Sequence, residues 1–358
     1  MHSTKTHTQK STHRSYKLTL RAAAAATATI AVAAVITPAV ASTPQPNASE
    51  SLTFRAPSGM PQNGMFAFTR FLDYSGDGTH DSAREDNTTD IWTATITNGY
   101  VTLARLPQST YGIPDFTPEW SPDGTKLAWS TKKPGGALGV RILDTTTGRT
   151  RWLTTNTARS NNERWPTWSP DGQRLLYSRR AAAGQSLDIW MANVDGSDQH
   201  KVAGVPGGVE DCCASFTGDS RSVVFASNRN KATSLFDIYR IPATNRGEEN
   251  GAAVRLTNNK LYDGTPSTGP GNTVWFRRFG QIWRLDASIS RIQNGVPVLT
   301  TGASRTPEAD ATGQWLAFGW RPTRSGPLQL RVDRTDGSFA WTLTNDSKVS
   351  STDPSWRN

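Results

Sequence analysis

Histidine and cysteine, which build many active sites, are scarce in this 358-residue chain, with five and two residues respectively. Only His80 and His200 lie beyond the first 21 residues. Two histidines argue against a histidine-based metal lyase and against a Ser-His-Asp triad. No G-x-S-x-G motif marks the serine nucleophile of an α/β-hydrolase either. The sequence therefore contains no recognisable catalytic set.

Runs of basic residues are also absent, although the formal net charge is +9. Residues 1–21 carry five of the Lys and Arg residues and no acid, so removing residues 1–41 leaves a charge of +4 (+9 − 5). There is no run of five Lys or Arg residues. A mild positive charge without clusters gives little attraction for polyanions. We therefore expect neither nucleic acid nor an anionic membrane as a partner.

The N-terminal segment has the pattern of an export signal. The basic residues 1–21 precede an uncharged stretch, 22–36, and the small-x-small triplet 39–41 (Ala-Val-Ala) follows. The alternative is an uncleaved anchor, because the uncharged run reaches Pro46 and is long enough to span a bilayer. That run is rich in Ala and Thr and only weakly apolar. We predict a signal peptide at 1–41 and a secreted or extracytoplasmic mature chain without a membrane span.

Helical periodicity is nearly absent, whereas one short motif recurs along the chain. It starts as P-E-W-S-P-D-G at Pro118 and P-T-W-S-P-D-G at Pro166. Further copies start at Ala214, Pro266, Pro307 and Pro354, with spacings of 48, 48, 52, 41 and 47 residues. A regular motif at irregular spacing indicates one structural unit with loops of different length.

Each copy predicts four strands. The first ends at an aromatic residue such as Trp120, and S-P-D-G then forms a type I turn. The second contains three consecutive apolar residues, as at 127–129, which indicates burial on both faces. The third contains D-I-W, D-I-Y or Q-I-W, and the fourth ends at a Leu-Thr pair. A sheet squeezed between two other sheets has this pattern, whereas a β-sandwich, the alternative, alternates apolar and polar residues.

The two ends of the repeat array complement each other. Residues 64–70 and 89–92 predict a second and a third strand without a first, and residues 353–356 predict a first strand alone. Joined in one blade, they would close a ring and hide its open edges. We predict an all-β fold, a six-bladed β-propeller of four-stranded blades at 64–358, after a short N-terminal segment at 42–63.

The pattern P-x-W-S-P-D-G-x-x-L-x-W…D-I-W-x-x-x-x-D-G…L-T resembles the TolB-type propeller repeat, also called PD40. The resemblance covers residues 64–356, and two copies match almost letter for letter. It implies the fold more strongly than a function, since binding proteins and some enzymes share the repeat. TolB proteins have an α/β domain before the propeller, whereas residues 42–63 alone stand between the predicted signal and the first strand here. This difference argues against a Tol–Pal envelope role.

One acidic loop interrupts the repeat. Residues 73–81, D-Y-S-G-D-G-T-H-D, space oxygen ligands at every second position, and Gly78 allows the sharp turn that brings them onto one hard cation. Similar loops occur in calcium-binding propellers, and we predict a structural calcium ion. Arg84 stands where an EF-hand needs its last ligand, so a solvated acidic loop is the alternative. The expected ligands are Asp73, Ser75, Asp77, Thr79 (through its carbonyl) and Asp81.

Cys212 and Cys213 are adjacent in the sequence and are its only cysteines. Export favours oxidation. Neighbouring Cα atoms are about 3.8 Å apart, below the usual disulfide range, so a bond between them would be strained. We predict a vicinal disulfide, with free thiols and an intermolecular bond as alternatives.

The position three residues before each motif is acidic in four of the six copies. In a propeller, the residues at this position surround one mouth of the channel. The set is Asp115, Glu163, Asp211, Asp263, Ser304 and Ser351. We favour a structural role, because a residue that recurs with the repeat serves the repeat. The alternative is a carboxylate rim that binds cations. Neighbours that do not recur, together with two of the acids, are the candidate ligand-binding residues: Arg164, Trp165, Glu210, Asp211, Tyr262, Asp263 and Arg305.

Aromatic side chains beside charges of both signs suit a polar ligand. We predict a monomeric exported propeller that binds a peptide, protein or glycan at the channel mouth without catalysis. The alternative is an extracellular enzyme on a propeller scaffold, either a polysaccharide lyase or a quinone-dependent dehydrogenase that uses calcium and the cysteine pair.

Overall fold

The computed structural model describes residues 51–73, 87–110, 112–155, 162–180, 184–230, 235–247, 253–299, 303–323, 326–345 and 349–357. These residues form 25 strands in six antiparallel sheets, which are the six blades of a β-propeller. Throughout the described part of the chain, no helix is long and apolar enough to cross a membrane.

Blade 1 is built from both ends of the described chain and confirms the predicted closure. Its strand order is β1-β4-β3-β2-β25. The bounds are β1 Ser51–Arg55, β2 Gly64–Asp73, β3 Asn87–Thr97, β4 Tyr100–Arg105 and β25 Ser351–Arg357. A fifth strand, β1, therefore pairs with the outer edge of the blade, at residues that the sequence pattern assigned to an N-terminal segment.

The other five blades have four consecutive strands each, and the first strand of each lies innermost. Blade 2 has β5 Asp115–Trp120, β6 Lys126–Lys132, β7 Leu138–Asp144 and β8 Thr150–Trp152. Blade 3 has β9 Asn162–Trp168, β10 Arg174–Arg180, β11 Leu187–Asn193 and β12 His200–Ala203. Blade 4 has β13 Asp211–Phe216, β14 Ser222–Ser227, β15 Asp237–Pro242 and β16 Val254–Arg255. Blade 5 has β17 Asp263–Thr268, β18 Thr273–Arg278, β19 Gln281–Asp286 and β20 Val296–Leu299. Blade 6 has β21 Ala303–Ala309, β22 Trp315–Arg321, β23 Gln329–Arg334 and β24 Ala340–Thr342.

The apolar triplets of the second strands form the core between neighbouring blades. Leu127, Ala128 and Trp129 on β6 are all fully buried, as two-sided packing requires. Trp129 and Leu127 pack with Ala67 and Ile91 of blade 1. Because each blade is covered on both faces, the prediction of sheets squeezed between sheets is confirmed.

The Leu-Thr pairs lie just beyond the fourth strands rather than at their ends. β24 ends at Thr342, and the N–H of Leu343 still donates to the carbonyl of Leu330 at 2.7 Å. The hydroxyl of Thr344 then accepts from the N–H of Leu330 at 2.8 Å. The side-chain hydroxyl replaces the next ladder bond, so the chain leaves the sheet while the buried donor stays satisfied.

Strand β25 joins the last blade to the first two. The ring of Trp356 lies 3.8 Å from that of Phe66 in blade 1, and its Nε1–H donates to the carbonyl of Glu308 in blade 6. The N–H of Trp120 in blade 2 donates to the Oγ of Ser355 at 2.9 Å. The non-covalent closure therefore connects three blades.

Candidate functional site

The innermost strands of the six blades, β5, β9, β13, β17, β21 and β25, surround a central channel. Its cavity has a volume of about 870 Å³ and is lined by residues from all six blades. Pockets of this size hold small molecules or short peptide segments. The channel is therefore the candidate site.

One residue in each innermost strand has a left-handed backbone, although none of the six is glycine. Each lies on the channel wall at the same place in the repeat, two residues after the recurrent position. The pairing register with the second strand shifts there, which marks a β-bulge. These residues are Thr117 (φ 52°), Trp165 (φ 57°), Cys213 (φ 57°), Thr265 (φ 49°), Thr306 (φ 40°) and Asp353 (φ 51°). Each bulge turns one side chain per blade into the channel, at a cost of roughly 1–2 kcal/mol for the left-handed residue.

Hydroxyl groups of the preceding blade hold two of these bulges in place. The N–H of Thr117 donates to the Oγ1 of Thr69 at 2.9 Å, and the N–H of Trp165 donates to the Oγ of Ser130 at 3.0 Å. The bulge amide would otherwise lose its strand partner, which is costly inside a protein. The shape of the channel wall is thus set jointly by neighbouring blades.

The four recurrent carboxylates are buried behind the wall rather than at the rim. Arg229 donates twice to Asp211 at 3.0 Å, and Arg278 donates to both oxygens of Asp263 at 2.6 and 2.7 Å. Lys133 lies 3.0 Å from Glu163. All four side chains are at most 1% exposed, and charges buried this deeply need a partner. We therefore assign these groups a structural role, in which they hold the innermost strands in position. Asp211 and Asp263 are not among the residues that line the cavity.

Four of the predicted ligand-binding residues do line the channel: Arg164, Trp165, Glu210 and Tyr262. The guanidinium of Arg164 lies 5.1 Å from the ring centre of Trp165, in cation–π contact. Glu210 accepts from Arg180 at 3.2 Å and from the N–H of Leu187 at 3.1 Å. Arg305 lies near the start of β21, at a position where the backbone alone is described. Ligand binding by these residues stays a prediction.

Two further residues complete the wall around Tyr262. Its ring lies 5.4 Å from that of Phe236, and the guanidinium of Arg277 lies 4.9 Å from its centre. Both neighbours line the cavity. Arg277 belongs to β18, the second strand, and the repeat pattern gave no sign that a second-strand residue reaches the channel.

The guanidinium groups of Arg164 and Arg277 each have one buried N–H group, at Nε, that donates to no partner among the described residues. Burial, followed by the charge of Arg180, lowers the pKa of Arg164. An anionic ligand would satisfy these donors, because a guanidinium binds carboxylate through two parallel N–H bonds.

The cysteine pair lies on blade 4, between these two arginines. The Sγ of Cys213 is 2.9 Å from the Sγ of Cys212 and donates a hydrogen bond to it. The vicinal disulfide stays a prediction. The hydrogen bond from Cys213 and burial raise the pKa of Cys212, which favours the protonated thiol. Both residues line the channel.

Two glutamates on the channel wall were not singled out by the sequence pattern. Glu119 on β5 and Glu308 on β21 each follow the opening proline of their copy. Loss of solvent raises the pKa of Glu308 to about 8. Loss of solvent and repulsion by Glu308 raise the pKa of Glu119. At the equivalent position the other four copies have Ser or Thr. The replacement of this hydroxyl residue by glutamate in two copies is the sequence feature that could have identified them as candidate site residues.

The predicted calcium ligands lie almost entirely outside the described residues. Asp73 ends β2, where the backbone alone is described, and Ser75, Asp77, Thr79 and Asp81 fall between the described ranges 51–73 and 87–110. Within the described ranges, no group of three or more His, Cys, Asp or Glu residues is arranged to hold a metal ion. Calcium binding stays a prediction.

Comparison with known proteins places this geometry in context. The family model described as the TolB beta propeller domain, PD40, matches residues 98–358. The fold is similar to that of TolB from Acinetobacter baumannii, with a TM-score of 0.62 and 19% identity over 82% of this chain and 66% of that chain. It is similar to a chain of the nidogen/laminin complex, with a TM-score of 0.54 and 8% identity over 82% and 98% of the two chains. It is also similar to a puromycin hydrolase, with a TM-score of 0.50 and 13% identity over 72% of this chain and 42% of that one.

No curated protein matches the sequence. At these low identities the structural likeness establishes the fold alone, and the alignment spans less than two thirds of the Acinetobacter chain.

Proposed function

Because the chain belongs to the TolB β-propeller (PD40) family, we propose that it is an exported, non-catalytic binding protein. Its ligand is a peptide, a segment of a protein or a glycan, and the ligand lies in the central channel. The basic leader at 1–41 supports export. The nidogen/laminin complex, whose chain has a similar fold, supports protein binding as a use of such a propeller.

The composition of the channel wall is the observation that carries this proposal. The wall combines the aromatic rings of Trp165 and Tyr262 with charged groups of both signs, Arg164 and Glu210 among them. Rings contribute apolar contact area, and the charged groups fix orientation and specificity. Such a surface recognises a ligand that has both apolar and polar parts.

Among the residues that the structure describes, none that lines this wall is a histidine. His200, the one histidine in the described ranges, lies on β12, the outermost strand of blade 3, away from the channel. Of the two channel thiols, Cys213 donates to Cys212 rather than to a base. Without a histidine base or an activated thiol among the described wall residues, the arrangement supports binding better than hydrolysis or elimination.

A ligand screen on peptide and glycan arrays tests the proposal, with the purified exported protein as the probe. We expect a hit whose affinity falls at least about tenfold in a Trp165→Ala/Tyr262→Ala variant, since each lost aromatic contact costs about 1 kcal/mol or more. Tyr100→Ala is the matched control, because Tyr100 is an exposed aromatic residue on β4, far out in blade 1. Hits that bind the channel variant and the wild type equally would contradict the proposal.

A further inference from the structure

Basic and acidic side chains occupy opposite sides of the central channel. Arg164 extends from blade 3 and Arg277 from blade 5, and we call this pair the cationic half. Glu119 extends from blade 2 and Glu308 from blade 6, and we call this pair the anionic half. Blade 4 separates the two arginines and blade 1 separates the two glutamates, so the channel wall is polarised from side to side.

The cationic half has hydrogen-bond donors that could bind an anion. The guanidinium groups of Arg164 and Arg277 lie 5.1 and 4.9 Å from the ring centres of Trp165 and Tyr262. Both buried Nε atoms have no hydrogen-bond partner among the described residues. The nearby carboxylate of Glu210 is already engaged by Arg180. A ligand carboxylate would satisfy donors that the described residues do not.

The anionic half has neighbouring carboxyl groups that could bind a cation. Glu119 and Glu308 flank β25, and repulsion between them disfavours the doubly ionised state. A ligand ammonium or guanidinium placed beside both carboxyl groups would offset this repulsion and lower their pKa values, so the cation would bind with release of protons. Asp353 of β25 adds a third carboxylate to the same side of the wall, where it accepts a hydrogen bond from Thr306 at 2.8 Å.

The two halves also differ in depth. Arg164 lies one residue after the recurrent position of its strand. Arg277 lies at the same level, because it pairs with Gly264, which is one residue after the recurrent position of blade 5. Glu119 and Glu308 lie four residues after the recurrent position of their strands. A difference of three residues is about 7–10 Å along a strand that contains a bulge. The arginines are therefore nearer the mouth at the start of the innermost strands, and the glutamates are deeper.

We propose that the channel selects an amphoteric ligand, whose anionic group binds Arg164 and Arg277 near the mouth while its cationic group binds Glu119 and Glu308 deeper inside. The inference rests on the proposed function and names the ligand class for that site. A short peptide with a free amino group and a free carboxylate is its simplest member, and it enters with the amino end first. Neither charge alone matches the wall as well as both together.

Triglycine and its two end-blocked forms provide the test by isothermal titration calorimetry at neutral pH. Triglycine carries both charges at a separation close to the depth difference, since a residue spans about 3.5 Å. N-acetyl-triglycine keeps only the anion, and triglycine amide keeps only the cation. We expect each blocked form to bind the wild-type protein at least about tenfold more weakly than triglycine, because each form loses one charge-assisted contact.

Variants assign each end of the peptide to one half of the channel. Glu119→Gln/Glu308→Gln should weaken triglycine at least tenfold and leave N-acetyl-triglycine unchanged. Arg164→Gln/Arg277→Gln should weaken triglycine and leave the amide unchanged. Asp336→Asn, at an exposed outer turn, is the matched control. If either double variant fails to fold, the single variants Glu308→Gln and Arg277→Gln replace it, with circular dichroism as the folding check.

The outcomes separate this inference from the proposed function. Equal affinity for the three peptides would overturn the amphoteric ligand while leaving a peptide-binding channel. If none of the three peptides binds but an array ligand binds in a manner that depends on Trp165 and Tyr262, the amphoteric-ligand inference is overturned and the proposed binding function remains. Failure of both experiments would overturn the proposed function as well.

Discussion

At the scale of single residues, two positions of each innermost strand distinguish one blade from another. The bulge position has Trp165 in blade 3 and Cys213 in blade 4, and the position after the opening proline has a glutamate in blades 2 and 6. The recurrent acids behind them, such as Asp211, are buried and paired. Residues that repeat thus stabilise the ring, and residues that break the repeat give the channel its chemistry.

The pKa of Glu308 predicts how stability depends on pH. The folded value of about 8 lies above the usual 4.5, so the folded state binds more protons than the unfolded state between those values. The free energy of unfolding should therefore fall as the pH rises through this window. Glu308→Gln cannot ionise and should melt roughly 2 °C or more above wild type at pH 8, with a smaller difference at pH 5.

Thermal melts at pH 5, 6, 7 and 8 measure this effect. Asp336→Asn, at an exposed outer turn, should follow the wild-type curve over the same range. A difference between Glu308→Gln and wild type that is independent of pH would contradict a raised pKa for this carboxyl group.

The cysteine pair gives a second prediction at this scale. Export exposes the two neighbouring thiols to oxidant, and the 2.9 Å approach of their sulfurs favours a bond between them over one between two chains. The exported protein, purified without reductant, should be a monomer about 2 Da lighter than after reduction, because two hydrogens are lost. Uptake of two alkylating groups without reductant, or a reducible dimer in the intact mass spectrum, would contradict this.

At the scale of the strands, the order of elements could be predicted because it follows the repeat, and three features could not. Strand β1 lies outside the repeat and is mostly exposed, so no pattern marked it. The bulges place Thr, Trp, Cys and Asp residues in a conformation typical of glycine, which no propensity indicates. Arg277 lies on a second strand, opposite Gly264 at the edge of a bulge, and no repeated pattern marks that position as facing the channel.

Closure by β25 predicts that one side chain in this strand has a large effect on stability. Trp356 is 8% exposed and packs on Phe66 between blades 1 and 6. Trp356→Ala should lower the free energy of unfolding by about 3–5 kcal/mol, the usual cost of truncating a buried aromatic residue. Urea denaturation measures the change, with Leu52→Ala on β1 as the control, since Leu52 is 60% exposed. Equal midpoints for Trp356→Ala and Leu52→Ala would show that β25 does not close the ring.

The loop between β2 and β3 predicts a response to calcium. Its alternating oxygen ligands at 73–81 suit a hard cation that would stabilise blade 1. A chelator should lower the melting temperature, and added calcium should restore it by mass action. Asp77→Ala should respond to neither, whereas Asp336→Asn, outside the loop, should respond like wild type. A wild-type melting curve that ignores both chelator and calcium would exclude a stabilising site.

At the scale of the whole molecule, six similar blades build a channel that is not symmetric. Family membership accounts for the ring, and the buried ion pairs and apolar triplets account for its stability. The bulges direct side chains of four different types, Thr, Trp, Cys and Asp, into one cavity, which is the proposed ligand site. Binding in this channel, without catalysis, is the central claim.

A crystal structure of the exported protein with its tightest array ligand tests that claim most directly. The claim predicts electron density for an intact ligand inside the channel, in contact with Trp165 and Tyr262, and with its anionic group beside Arg164 and Arg277. Density for the ligand on the outer strands of the blades, or for a cleaved product in the channel, would contradict it.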